Sequence, residues 1–120
     1  MAAQAGICMI WGTPVAGREK HALDVYSETL QYWGGLQQEG KIERFDVVIL
    51  GPTGGDFTGF LVARGTEAQM DSVRHSEEFL RHVNRAQLVA EHVRVADAFV
   101  DDGLAQILSL YSDEVGRVGV

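Results

Sequence analysis

Two rhythms of apolar and polar residues run along this chain. Residues 5–12, Ala-Gly-Ile-Cys-Met-Ile-Trp-Gly, form an unbroken apolar run ended by glycine, and predict a strand buried on both faces and central in a sheet. From 17 to 39 the period lengthens: Leu23, Tyr26, Leu30, Trp33 and Leu36 step by three and four, the stripe of an amphipathic helix. Gly34-Gly35 in its last turns predicts a fray or kink, or a neighbour approaching closely, and Gly40 ends it as a C-terminal cap.

The period then shortens. Segments 42–50 and 57–63 are β-branched and apolar, and the turn formers of 51–56 between them predict a hairpin. Phe45, Val47 and Ile49 share one face of its first strand, Phe60 and Val62 one face of its second, and Gly59 marks a bulge or a close approach. Thr66 with Gln69 makes a capping-box pattern, and Ser76 before Glu77 and Glu78 reads as a fresh helix start. Two helical pieces follow, 66–75 and 77–87, the second with the apolar stripe Phe79, Leu80, Val83 and Ala86. Residues 89–100 read as a fourth strand that puts Val93, Val95 and Phe99 on one face and His92 and Arg94 on the other. Leu104, Ile107, Leu108 and Tyr111 predict a last helix over 104–115, with 116–120 as a loose tail.

Composition narrows the function classes. The 120 residues suit one domain, 1–120, with 46% hydrophobic and 22% charged residues, as in soluble proteins. No apolar run approaches the roughly 18–20 residues that cross a bilayer, and no basic residue precedes the first apolar segment, so neither a membrane span nor a secretory signal is expected. A net charge of −7 with ten Lys and Arg leaves no basic stripe for phosphates, which argues against nucleic acid as a partner. The single cysteine, Cys8, cannot close an internal disulfide; it reads as a small buried hydrophobe in a cytoplasmic protein.

The element order opens with the β-α-β-β-α-β pattern of the ferredoxin-like α+β fold, with helices on one face of a four-stranded antiparallel sheet and an extra C-terminal helix. The other sheet face then needs cover, and a second copy of the chain supplies it. The length, the Ser-Glu-Glu-Phe start of the second helical piece and the long fourth strand resemble the dimeric α/β-barrel superfamily. That group includes the antibiotic-biosynthesis-monooxygenase-like (ABM-like) proteins, muconolactone isomerases and chlorite-dismutase relatives. The run Trp11-Gly12, Gly40-Lys41-Ile42-Glu43, Gly51-Pro52, Gly55-Asp56, Gly59-Phe60 and Glu78-Phe79 is similar to small actinobacterial-type members without assigned function. The resemblance implies a homodimer whose facing sheets enclose a pocket per subunit, on a fold that hosts many chemistries.

Candidate chemistry centres on His92 and Arg94. A histidine acts as acid or base near neutral pH, and an arginine beside it holds a carboxylate or enolate. Trp11, Phe45 and Phe60 would form the apolar wall of the ligand site. The plainer alternative has His92 and Arg94 facing solvent or pairing with acids. Glu78 and His82, four apart near His75, make half a metal site whose third ligand only His21 or His92 offers; a solvated helix face fits better, and no metal or cofactor is expected. The loop 54–57 resembles the hairpin motif of diguanylate cyclases but lacks its second acidic residue, since Phe57 follows Asp56, and no helix follows to cradle phosphate. Two readings stay open. One is a homodimer that binds a small hydrophobic or anionic molecule between sheets or is purely structural. The other is a cofactor-free monooxygenase or isomerase for an enolisable or aromatic substrate, with His92 as base.

Overall fold

The computed structural model describes residues 3–52 and 55–119. In chain order its elements are β1 (Ala5–Trp11), α1 (Glu19–Gln38), β2 (Arg44–Ile49), β3 (Gly59–Gly65), α2 (Glu67–Arg74), α3 (Glu77–Val89), β4 (Arg94–Phe99) and α4 (Asp102–Val118). The strands form one antiparallel sheet in the order β2-β3-β1-β4, which places the continuously apolar β1 in the interior as its sequence predicts.

Alternation sorts each strand into two faces. Ile7 and Met9 of β1 and Leu61 and Ala63 of β3 point toward α1–α3, with Phe45, Val47 and Val95 packed beside them. Trp33 and Leu36 of α1, Met70 and Val73 of α2 and Phe79 of α3 close this core. Trp33 lies at its centre, edge-on to Tyr32 at 5.2 Å and to Phe79 at 6.0 Å between ring centroids. The opposite face carries the cross-strand rows Val48–Phe60–Ile10–Arg94, Asp46–Val62–Cys8–Ala96 and Arg44–Arg64–Gly6–Ala98. Arg44 and Arg64 sit directly opposite one another, a repulsive pairing that Asp101 offsets at 3.6 and 3.3 Å, together with Asp46 at 3.6 Å from Arg64.

The helix starts fall where capping chemistry puts them. The Thr66 hydroxyl accepts the Gln69 N–H (3.1 Å) while the Gln69 side-chain oxygen accepts the Thr66 N–H (2.8 Å). The Ser76 hydroxyl accepts the Phe79 N–H (3.2 Å), so the break at His75-Ser76 is two capped termini meeting. Gly59 is a close approach, since a Cβ there would lie 2.8 Å from the Val48 carbonyl oxygen and 3.0 Å from the Trp11 ring.

Several expectations change. On α1 Trp33 and Leu36 are buried as expected, but Thr29 joins them while Leu23 is 71% and Leu30 36% exposed, so the first half of the stripe turns toward Thr29. On α3, His82 is buried in line with Phe79, Ala86 and Val89, and Leu80, on the other side of the helix, is exposed. The fourth strand begins only at Arg94, because segment 12–15 takes up 89–91 first through a Pro14–Ala90 bridge and His92 turns left-handed at φ 54°. The last helix runs on to Val118, so 116–118 is helical and not loose; Val120, like Thr53 and Gly54 of the hairpin loop, lies outside the described residues.

α1 also passes uninterrupted through Gly34 and Gly35, with nothing among the described residues within 4 Å of either missing Cβ. Neither a fray nor a close approach explains the pair. Each of Gly34→Ala and Gly35→Ala is therefore expected to stabilise the protein by about 0.5–1 kcal/mol in urea unfolding. A loss of stability would show that something covers this turn.

Candidate functional site

At the Trp33–Phe79 end the two layers meet through large rings. At the other end the residues that face each other across the layers are small (Gly12, Ala22, Ala86 and Ala90), and the space between α1, α3 and the sheet stays open as a cavity of about 480 Å³. Buried Met9, Gly12, Thr29 and Val89 form its floor. Trp11 and Tyr26, edge to face at 6.4 Å and 65°, build an aromatic wall continued by Val25 and Val93. Exposed Glu19, Leu23 and Ile49 stand at its rim. The leucine that left the core stripe is thus part of the mouth.

Polar groups in the lining are few: the Glu19 carboxylate and the hydroxyls of Tyr26, Thr29 and Thr58. Glu19 is held locally, accepting the Gly17 N–H at 3.2 Å. Thr29 links the cavity floor to the interior. Its hydroxyl donates to the Val25 carbonyl (2.8 Å), so the 3.1 Å contact with His82 has the imidazole Nε2–H donating to Thr29. The neutral ring then leaves Nδ1 as a bare acceptor, which has no hydrogen-bond partner among the described residues. Tyr32 stacks on the ring at 5.3 Å.

Burial pushes the His82 pKa below its ordinary value, the Arg85 charge pushes it further down, and Glu28 acts weakly upward. The unfolded chain therefore takes up a proton at a higher pH than the folded one. Stability from this group is complete above about pH 6.5 and declines as pH falls toward the lower folded value. His82→Gln keeps a donor for Thr29 without titrating. Urea unfolding at pH 7.5 and 5.5 is expected to show a smaller loss on acidification in this variant than in the natural chain. Equal losses would mean that His82 is charged or solvated in the fold.

Of the residues singled out from sequence, Trp11 lines the cavity and the others lie elsewhere. Phe45 packs on the helix-side core, and Phe60 lies on the opposite face, stacked on Phe57 at 6.1 Å. Arg94 is on that opposite face too, across from Ile10. His92 precedes β4, 54% exposed, with Nε2 3.8 Å from the Asp56 carboxylate. Its left-handed backbone breaks the alternation that would have set it beside Arg94, although its neighbours Ala90 and Val93 line the cavity. His75 bonds back to the Asp71 carbonyl at 2.9 Å, Glu78 is exposed and His82 is buried, so the three share no face. Cys8 is half-buried on the open sheet face, where burial raises its thiol pKa and keeps it protonated. Thr29 was not found from sequence, and His82 was picked out only as half of a metal site; the signal for Thr29 was a polar residue recurring in phase with Val25, Tyr26 and Trp33.

The architecture defines a ferredoxin-like α+β protein, and solved structures share it. A dimeric ferredoxin-like protein of unknown function from Jannaschia sp. CCS1 superposes with a TM-score of 0.61 at 14% identity, over 80% of this chain and 99% of that one. The hydroxynitrile lyase of Passiflora edulis matches at 0.59 and 14%, over 82% and 94%. SnoaB, a cofactor-independent oxygenase from Streptomyces nogalater, matches at 0.55 and 12%, over 83% and 95%. No protein-family model and no curated protein sequence matches the chain. At these identities the likeness is one of fold.

Proposed function

We propose that this single α+β domain is a cytoplasmic, homodimeric, ABM-like binding protein of the actinobacterial-type pattern carried by its glycine-aromatic motifs. Its ligand is a small, flat, mainly apolar molecule held between the sheet and α1 and α3. The observation that carries the reading is the cavity itself: about 480 Å³, within the size range of small-molecule sites, walled by aliphatic and aromatic groups with a few hydroxyls and one rim carboxylate. This cavity lies under the helices of one chain, whereas the sequence pointed to a pocket between facing sheets. Self-association is supported by the apolar residues Val48, Phe60, Ile10 and Val62 on the open sheet face and by neighbours described as dimeric.

The second reading is a cofactor-free oxygenase or isomerase acting on an enolisable or aromatic substrate. It is favoured by two enzymes among the fold neighbours, and by His92 standing between two cavity residues with Asp56 nearby. Binding leads because Glu19, the one carboxylate in the lining, sits at the exposed rim and Arg94 on the far face.

Titration with 1-aminoanthracene, an uncharged flat fluorophore that brightens in apolar sites, tests the reading. Saturable binding at one site per chain is expected, and Ala22→Trp, which fills the mouth from α1, should weaken it at least about tenfold, the loss of roughly 1.4 kcal/mol. Absence of binding, or equal binding by the blocked variant, would remove the cavity as the site.

A further inference from the structure

α4 is the part of the chain least explained by its own fold. It is a 17-residue amphipathic helix in which only Gly103 is buried. Leu104, Leu108 and Tyr111, at helical spacing on one side, are 50%, 63% and 69% exposed. An isolated helix of this length is marginal in water, so its order calls for a surface to lie on. The helix nonetheless leaves the sheet in a fixed direction. Asp102 N–H bonds the Ala3 carbonyl at 3.2 Å, Gly103 N–H bonds Val100 at 2.7 Å, and a Cβ on Gly103 would run into the Gln4 carbonyl. The chain is correspondingly elongated, 51 × 37 × 24 Å with a radius of gyration of 16.2 Å, against about 14 Å for a compact domain of this length.

We propose that α4 is a dimerisation arm whose Leu104–Leu108–Tyr111 stripe packs on a second copy of this chain. The inference rests on the homodimer reading above and extends it to a part of the chain outside the shared fold: the four strands and α1–α3 already complete the ferredoxin-like pattern. Area favours this occupant. Four strands of about six residues present a face of roughly 400 Å², about half of the 800 Å² per partner of a standard stable interface. A helix of 17 residues, about 25 Å long and 10 Å wide, adds roughly 250 Å² on its own side and as much where the partner's arm lands, which makes up the difference. Charge argues against a lipid surface: α4 carries Asp102, Asp113 and Glu114 against a single Arg117 and lacks the basic face that anionic membranes select.

Sedimentation equilibrium on the full chain, the exposed double variant Leu108→Glu/Tyr111→Glu and the milder Leu108→Gln tests the arm, with circular dichroism to confirm that each variant keeps its fold. The natural chain is expected to be a dimer, the double variant to raise the dimer Kd at least a hundredfold, and Leu108→Gln to raise it by a smaller factor. A dimeric natural chain with unchanged Kd in both variants would overturn the arm and leave the sheet-face dimer standing. A monomeric natural chain would overturn the homodimer reading and the arm with it. Pelleting of the natural chain, but not the double variant, with phosphatidylcholine–phosphatidylglycerol vesicles would assign α4 to lipid and overturn the proposal.

Discussion

Trp33→Ala is expected to lower the unfolding free energy by about 3–5 kcal/mol, a large share of the 5–15 kcal/mol that holds a typical domain. Trp33 is fully buried where α1, α3 and the sheet converge, and its ring edges meet Tyr32 and Phe79. No single neighbour fills the hole it would leave. Trp33→Phe provides the informative contrast. The indole N–H has no hydrogen-bond partner among the described residues, so replacing it with an apolar ring relieves a buried orphan donor while losing volume. Urea unfolding should place Trp33→Phe within about 1.5 kcal/mol of the natural chain. Equal losses for both variants would mean that the indole nitrogen is bonded and that the packing described here is incomplete.

Gly12→Ala carries the second large effect, and it reaches the cavity. A Cβ at residue 12 would lie 2.6 Å from the Asp56 carbonyl oxygen and 2.9 Å from that of Glu91. Both obstacles are backbone, and they belong to the two segments that close this end of the sheet. Gly12 itself donates to Glu91 at 2.8 Å, Glu91 donates to Thr13 at 2.8 Å, and Thr58 donates to Trp11 at 2.9 Å. Inserting a methyl group must separate these segments, with an expected loss of about 2–3 kcal/mol. Because Gly12 is part of the cavity floor, 1-aminoanthracene affinity should fall as well. Gly51→Ala, where the added carbon meets nothing among the described residues, is the control and should leave both quantities unchanged. Retention of stability and affinity in Gly12→Ala would show that the loop and the turn before β4 are not locked together.

Much of the fold was legible because it is written in local chemistry. Thr66, Gln69 and Ser76 state their caps directly, the apolar run of β1 states its central place, and the hairpin strands keep strict alternation through Val47 and Leu61. The errors share one cause. A helix turned by one residue still presents an apolar stripe, so Leu23 and Leu30 on α1 and Leu80 on α3 looked as eligible for the core as Thr29 and His82. Only tertiary packing decides which side of such a helix is buried, and here it favoured a pair of polar residues bonded to each other. The candidate residues proved scattered because His92 left the strand. Reading 89–100 as one strand put His92 and Arg94 on one face, but the Pro14–Ala90 bridge consumed the first residues and the left-handed His92 fell outside the strand, while Val93, Arg94 and Val95 kept the faces read for them. Trp11 was found because it belongs to a strand whose register was certain. The cavity itself has no sequence motif: it is the space left by Gly12, Ala22, Ala86 and Ala90, small residues from three separate segments.

The most direct test of the cavity is methyl NMR on protein labelled at Met, Ile, Leu and Val, recorded during titration with 1-aminoanthracene. Shifts are expected to concentrate on Met9, Leu23, Val25, Ile49, Val89 and Val93, the methyl-bearing residues of the cavity between sheet and helices. Shifts confined to Ile10, Val48 and Val62 would move the ligand to the opposite sheet face and contradict the site described here.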